Sequence, residues 1–316
     1  MASVLNHELN KLGINSSILN LMKGGLREDP FTHPLLTMAA GVDEYAVKTP
    51  GVLTQLSHLR SRQSRVVINE IADFDIVHLH WIEGFLKTDD LGKILARGQR
   101  IVWTMHDMRP FTAACHHAGS CIGFTKDCSN CPQARPQFRK SIELNLSNKV
   151  NTIGQASNKI SFVSPSQWLA QLAEKSTLVN GSPLSVIANP INSIYFEPID
   201  RQKARQKLQV DQQSLVLTIV AKNLDDPNKQ VQEMIEQFER FATISDIRAH
   251  LFLVGDGGGT LRTNSMVRKL GNLSPASLRD VYSATNLILS GSLVESFGLT
   301  LAEAGALGVP SLTSMG

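Results

Sequence analysis

No stretch of this 316-residue chain reaches the about 20 consecutive apolar residues that a membrane-spanning helix needs. The start lacks a signal-peptide pattern. An excess of one charge is missing too: 31 Lys and Arg stand against 28 Asp and Glu, for a formal net charge of +3. A dedicated nucleic-acid binder has a far stronger basic bias, so no nucleic-acid partner is expected. There is no low-complexity tract and no short repeat. Cysteine is absent outside one short window. What remains is the composition of an ordinary soluble protein, 42% hydrophobic and 19% charged, with cytoplasmic residence as the default. Single cores stop growing at about 250–300 residues, so two domains are expected.

The pattern alternates between helix and strand. Residues 3–12 read as a first helix and 14–22 as a strand. Residues 57–71 are polar with spaced apolar positions, which suits a helix. Short apolar strands are predicted at 74–80, 100–105, 160–163 and 185–188. Ser164 or Ser166 can cap a helix carrying Trp168, Leu169 and Leu172. The second half repeats this grammar with strands at 215–220, 250–254 and 285–290. An amphipathic helix at 230–241 puts Val231, Met234, Ile235 and Phe238 on one face. Ser274-Pro275 fits a cap with proline at the first helical position. The expectation is an α/β protein of two Rossmann-like, doubly wound domains. One spans residues 1–188 with a Cys-rich insertion at 107–135, a hinge rich in Pro and Asn covers 189–198, and the other domain spans 199–316.

The most informative segment is Glu295-Ser-Phe-Gly-Leu-Thr-Leu-Ala-Glu303. An apolar strand precedes it and good helix formers follow it, so it reads as strand, tight turn, helix. Glu295 then lies in the turn and Glu303 inside the helix. The amides around Phe297, Gly298 and Leu299 become unpaired donors at a helix N-terminus, which favours a phosphate. Two carboxylates beside such donors suit a ligand with both hydroxyls and phosphates, such as a nucleotide sugar. Lys222 and Lys229 follow the 215–220 strand at its carboxyl end, where α/β folds bind ligands. His106, next to Asp107, lies just past another strand end. Gly255-Asp-Gly-Gly-Gly259 lacks the spacing of a dinucleotide loop and reads as a glycine-rich turn.

All four cysteines, Cys115, Cys121, Cys128 and Cys131, have the spacing C-x5-C-x6-C-x2-C. Four thiolates suit tetrahedral zinc, with His116 or His117 able to replace one of them. Two disulfides are the alternative, disfavoured in a reducing cytoplasm. A four-cysteine site leaves no open position, so such a zinc would be structural. Arg60, Arg62 and Arg65 read as a solvated helix face that can also touch anionic lipid.

Glu295 to Glu303, followed by Ala304-Gly-Ala-Leu-Gly-Val-Pro310, resembles the Glu-x7-Glu signature of retaining glycosyltransferase family four. Residues 162–166, 186–190, 220–229 and 253–257 are similar to other segments of that family, in order along the chain. The resemblance implies GT-B architecture, two Rossmann-like domains facing a cleft. It implies a nucleotide-sugar donor, with Glu295 on the donor sugar's hydroxyls and Glu303 on the ribose. Lys222, Lys229 and the Phe297, Gly298 and Leu299 amides would hold the diphosphate, and no catalytic metal is expected. His106 would face donor sugar and phosphate and stabilise charge, and residues 255–259 and 268–270 would lie near the base. The family more often has Arg where Lys222 stands, and a lysine supplies charge without a bidentate fork. Residues 107–132 resemble a cysteine-bearing insertion in the subset from exopolysaccharide and colanic-acid clusters, which implies a structural metal folding a loop over the acceptor side. A glycan or lipid-linked acceptor in cell-surface polysaccharide synthesis follows, with peripheral contact at the cytoplasmic face of the inner membrane. Against the family pattern both ends look truncated, which leaves the N-terminal sheet incomplete. A non-catalytic nucleotide-sugar-binding or interaction protein with a zinc loop is the alternative expectation.

Overall fold

A computed structural model describes residues 2–19, 47–50, 52, 56, 57, 64–83 and 86–314. The chain divides into two compact units, one running to Asn189 and the other starting at Pro190. Both are α/β with parallel sheets.

The first unit contains helix α1 (Ala2–Lys11), α2 (Ser64–Glu70), α3 (Thr88–Ala96), α4 (Arg139–Gly154) and α5 (Gln167–Glu174). Its strands are β1 (Ile76–Leu79), β2 (Arg100–Thr104), β3 (Ile160–Ser164) and β4 (Leu184–Val186), all parallel, in the order β1-β2-β3-β4. Trp103 of β2 and Phe162 of β3 are register partners, both fully buried, and their rings stack at 6.0 Å. Ser166 caps α5 by accepting a hydrogen bond from the Leu169 N–H at 3.2 Å. Residues 14–19 form no strand, contrary to the periodicity, and 20–22 lie outside the described residues. Arg60 and Arg62 also lie outside them, while Arg65 is exposed on α2.

Residues 105–138 join β2 to α4 without a strand of their own, through three short 3-10 turns. The loop is pinned from below. Lys149 Nζ, buried on α4, donates to the carbonyls of Arg109 at 2.9 Å and Thr112 at 3.0 Å. The Asn145 amide donates to the Ala113 carbonyl, and the Ser176 hydroxyl to that of Phe111 at 2.8 Å. These side chains replace the partners a ladder would have supplied to buried backbone.

The second unit contains α6 (Arg201–Lys207), α7 (Val231–Ser245), α8 (Pro275–Ala284) and α9 (Leu299–Ala306). Its strands are β5 (Leu215–Asn223), β6 (Ala249–Asp256), β7 (Val267–Gly271), β8 (Leu287–Ser290) and β9 (Ser311–Thr313), in the order β7-β6-β5-β8-β9. Every pairing is parallel. Leu251 and Leu253 of β6 face α7, where Val231, Ile235 and Phe238 are buried. Phe252 and Val254 face the other way, onto Val216 and Val281. A strand covered on both faces reads as a continuous apolar run, as β6 does. Ser274 caps α8 from Ser277 N–H, with Pro275 at the first helical turn.

Candidate functional site

In the second unit, β6 and β7 add to one side of β5 while β8 and β9 add to the other. Growth reverses between β5 and β8, and open α/β sheets bind ligands outside the carboxyl ends of the strands at such a switch point. The loops leaving these two strands, 224–230 and 291–298, bear Lys229, Glu295, Phe297 and Gly298. They are stitched together. Leu293 N–H donates to the Asn228 carbonyl at 2.9 Å. The Lys229 ammonium donates to Glu295 Oε2 at 2.9 Å and to Ser292 Oγ at 3.2 Å. The lysine side chain is 28% exposed and the glutamate 41%, and such a pair contributes at most about 1 kcal/mol to stability. What it does is hold a cation and a carboxylate at the switch point. Lys222 is exposed at a register shift of the β5–β6 pairing, between Val220 and Asn223. Such bulges re-aim side chains beside sites.

Gly298 precedes α9 in the left-handed conformation, at φ 78°. A Cβ there would lie 3.3 Å from Leu301 Cδ1 and 3.7 Å from Glu295 Cγ, so the turn is tight and the Glu295 stem folds against it. The Gly298 carbonyl accepts from Leu301 and Ala302 N–H, each at 3.0 Å, which leaves the first amides of α9 without intrahelical partners. Glu303 sits further along α9 and accepts from the Tyr282 hydroxyl at 3.2 Å. Burial raises its carboxyl above the usual range, and the Tyr282 bond opposes part of that. The Gly255–Gly259 turn is tied to the β5 loop by Asp225, whose carboxylate accepts from Gly258 N–H at 2.8 Å and Thr260 Oγ1 at 3.0 Å. Arg268 is committed to the fold: it donates to the Leu208 carbonyl at 2.7 Å and lies over the Phe252 ring. The structure therefore brings Lys229, Glu295 and Gly298 together, while Glu303 is paired with Tyr282.

In the first unit, three histidines gather at the carboxyl ends of β1 and β2. The His78 and His80 rings stack at 4.4 Å, and those of His80 and His106 at 5.2 Å. His80 Nδ1 and His106 Nε2 lie 2.9 Å apart, so one ring donates and the other accepts. Burial pushes His80 down to about 3. Burial also lowers His106, against the opposing charge of Asp107. Both rings are then neutral at physiological pH. The unfolded chain takes up a proton on these rings below about pH 6.5, and the native state does so only near the depressed values. Stability present above about pH 6.5 is therefore expected to fall as pH drops toward 3. The melting temperature of His80→Ala should fall less between pH 7.5 and 5 than that of the wild type, and equal slopes would refute the assignment.

Asp107, buried beside His106, accepts from His116 Nδ1 at 2.6 Å and from Arg109 N–H at 2.8 Å. His116 Nε2 then accepts from the Ser57 hydroxyl at 2.5 Å. Trp81 stacks on the His116 ring at 4.7 Å. Sequence reasoning missed His78, His80, Trp81, Ser57 and Tyr282. The run His78-Leu-His-Trp81 at a strand end was a readable signal, because alternation puts both histidines on one side of the strand. The contact between Ser57 and His116 joins residues far apart in the chain and left no local trace.

The cysteines correct an expectation. All four are free thiols, and among the described residues no group of three or more His, Cys, Asp or Glu is arranged to hold a metal ion. Among the described residues the thiols are arranged neither as a metal site nor as disulfides. Cys128 and Cys131 are buried in the apolar core with Phe124 and Ala134, and Cys115 and Cys121 pack against it. The Cys121 sulfur takes a hydrogen bond from Gly123 N–H at 3.4 Å. Burial pushes the Cys115 thiol up to about 12 and Cys128 to about 11. They behave as small apolar side chains filling the base of the loop.

Residues 200–315, most of the second unit, match the family model described as glycosyl transferases group 1. The chain is 27% identical over 266 residues to a D-inositol 3-phosphate glycosyltransferase of Gordonia bronchialis, covering 76% of this chain and 51% of that protein. It thus spans about half the length of that relative. Sucrose-phosphate synthase of Thermosynechococcus elongatus has a similar fold, with a TM-score of 0.54 at 17% identity, covering 79% of this chain and 59% of the other. Anabaena HepE, solved in complex with UDP-glucose, gives a TM-score of 0.53 at 16% identity, covering 79% and 62%. These likenesses match the parallel α/β sheets to GT-B glycosyltransferase structures.

Proposed function

We propose that the chain is a retaining glycosyltransferase that moves a sugar from a nucleotide donor to a glycan or lipid-linked glycan acceptor in cell-surface polysaccharide synthesis. The observation that carries this reading is the Lys229–Glu295 pair at the switch point of a group 1 domain. An arriving diphosphate is a stronger partner for the Lys229 ammonium than the glutamate. It would take the lysine and leave Glu295 free to accept from sugar hydroxyls. Lys222 and the Phe297, Gly298 and Leu299 amides add donors toward the same anion, an electrostatic arrangement that needs no catalytic metal. Glu303, oriented by Tyr282, would accept from the ribose. His106 carries the charge-stabilising role, as a neutral donor kept in one tautomer by His80. Arg65 is the described member of a basic face that can meet anionic lipid at the inner membrane.

A thermal-shift panel of UDP, GDP and ADP, with the matching nucleotide sugars, tests the donor site. One nucleotide should raise the melting temperature. Lys229→Ala should weaken that nucleotide about tenfold or more, since hydrogen bonds to charged groups contribute about 1.5–3 kcal/mol. Glu295→Gln should retain nucleotide binding and lose donor hydrolysis and transfer. Unchanged turnover in Glu295→Gln would sink the assignment. Nucleotide binding without any turnover in the wild type would instead favour the non-catalytic reading.

A further inference from the structure

Ser57, His116 and Asp107 form a hydroxyl–imidazole–carboxylate relay, with contacts of 2.5 and 2.6 Å. The geometry is that of a hydrolase triad, but its surroundings are not. The Ser57 amide, which an oxyanion hole would draw on, is donated to the Ala114 carbonyl at 3.0 Å. His116 is 2% exposed, and the Trp81 indole lies on its ring. Both ring nitrogens are engaged, one by the carboxylate and one by the hydroxyl, so the imidazole cannot turn. The relay thus fixes a ring, and that ring is the floor for an indole.

Trp81 is the unusual member of this stack. It is 52% exposed, whereas Trp103 is fully buried. One face of the indole rests on the locked imidazole, and among the described residues no ring is stacked on its other face. An exposed indole held rigid from behind offers a large flat apolar surface at small entropic cost, with an N–H at its rim. Its place is informative. Trp81 follows His80 directly in the chain, and His80 shares a hydrogen bond with His106. Glu83, two residues further on, faces Arg109 at 3.6 Å. The ligand class that matches a flat apolar surface with an N–H at its rim is a sugar ring. The C–H face of a pyranose packs on the indole, and its hydroxyls reach the rim.

We infer that Trp81, backed by His116, is a stacking platform for a pyranose ring of the acceptor glycan. The inference rests on the glycosyltransferase reading for the word acceptor. The platform itself stands on the geometry of the first unit. His116, Asp107 and Ser57 are positioning residues that keep the indole oriented.

Intrinsic fluorescence of the full chain reads this directly. A Trp168→Phe background removes the other exposed indole, which is 45% exposed. The probes are maltotriose, cellotriose, chitotriose and mannotriose. At least one should change the emission saturably. Trp81→Ala should weaken that probe at least tenfold, and Trp81→Tyr should stay within about threefold of the parent. Isothermal calorimetry gives the same affinities independently of the fluorophore. Nucleotide melting shifts, which depend on the second unit, should be the same in all variants. The proposal is overturned if none of the four trisaccharides binds the parent, or if Trp81→Ala binds within twofold of it. Loss of the nucleotide shift in the parent sinks the donor-site reading alone, and trisaccharide binding then still decides the role of Trp81.

Discussion

Gly255→Ala is expected to unfold the second unit at or near physiological temperature. Gly255 lies near the end of the core strand β6 with φ 142°, a conformation open almost only to glycine. A Cβ there would lie 1.8 Å from the Ala221 carbonyl oxygen and 3.0 Å from its carbon. The obstacle is backbone, not a flexible side chain, and β5 and β6 are register partners at Val220 and Val254. Relief must therefore disturb the β5–β6 pairing at the centre of the sheet. Strain at such a residue costs about 1–3 kcal/mol, and overpacking adds about 1–3 kcal/mol more. That is a large share of the about 5–15 kcal/mol by which a domain is stable. Chemical denaturation of the variant should show an early transition from this unit, and nucleotide should not stabilise it. Gly259→Ala is the control, because nothing lies within 4 Å of a Cβ there. Its midpoint should stay within about 0.5 kcal/mol of the wild type. Equal midpoints for both variants would refute the argument.

Asp107→Ala is the second large effect, in the first unit. The carboxylate is 5% exposed and accepts from His116 Nδ1 and Arg109 N–H. Alanine leaves a buried imidazole and a buried amide without acceptors, and removing one partner of a buried pair costs about 3–5 kcal/mol. The variant should also loosen the ring beneath Trp81, so trisaccharide affinity should fall alongside stability. The pH dependence carries a sign. Burial works against the Asp107 charge, but the hydrogen bonds from His116 and from the Arg109 amide hold the carboxyl below its ordinary range. Its contribution is therefore complete above about pH 4, the unfolded value, and is lost as pH falls through the lower native one. Denaturation midpoints at pH 7 and pH 3 check this. The gap between wild type and Asp107→Ala should narrow at the lower pH, and a gap that widens would contradict it.

The elements visible in the chain were those with strong local chemistry. Ser166 and Ser274-Pro275 cap helices where expected, because a cap is set by residues three apart. Strands β5 and β6 are buried on both faces, so their apolar runs stood out. Helix α4 did not, because its buried face includes Asn145 and Lys149, polar residues recruited to hold the 105–138 loop. Helix α6 is almost wholly polar and starts on the Asp200 cap. Strand β7, at the sheet edge, alternates buried Val267 with Arg268 and Lys269 and gave no apolar signal. The 14–19 segment has strand-like residues, yet among the described residues it pairs with no strand, and a strand exists only by pairing.

The same division holds for the candidate site. Glu295, Gly298 and the start of α9 were readable, because a turn between an apolar strand and a helix is encoded in adjacent residues. That Lys229 rather than Lys222 meets Glu295 was decided by tertiary structure, through a bulge at the end of β5 and the reversal of strand order beside it. Cysteine spacing suggested a ligand set, and packing turned the same thiols into core. The sequence by itself determined which segments could be strand, turn and helix, because those preferences act over a few residues. Only the tertiary structure decided which side chains meet, because contacts such as Ser57 with His116 join residues that backbone geometry, not sequence proximity, brings within 3 Å.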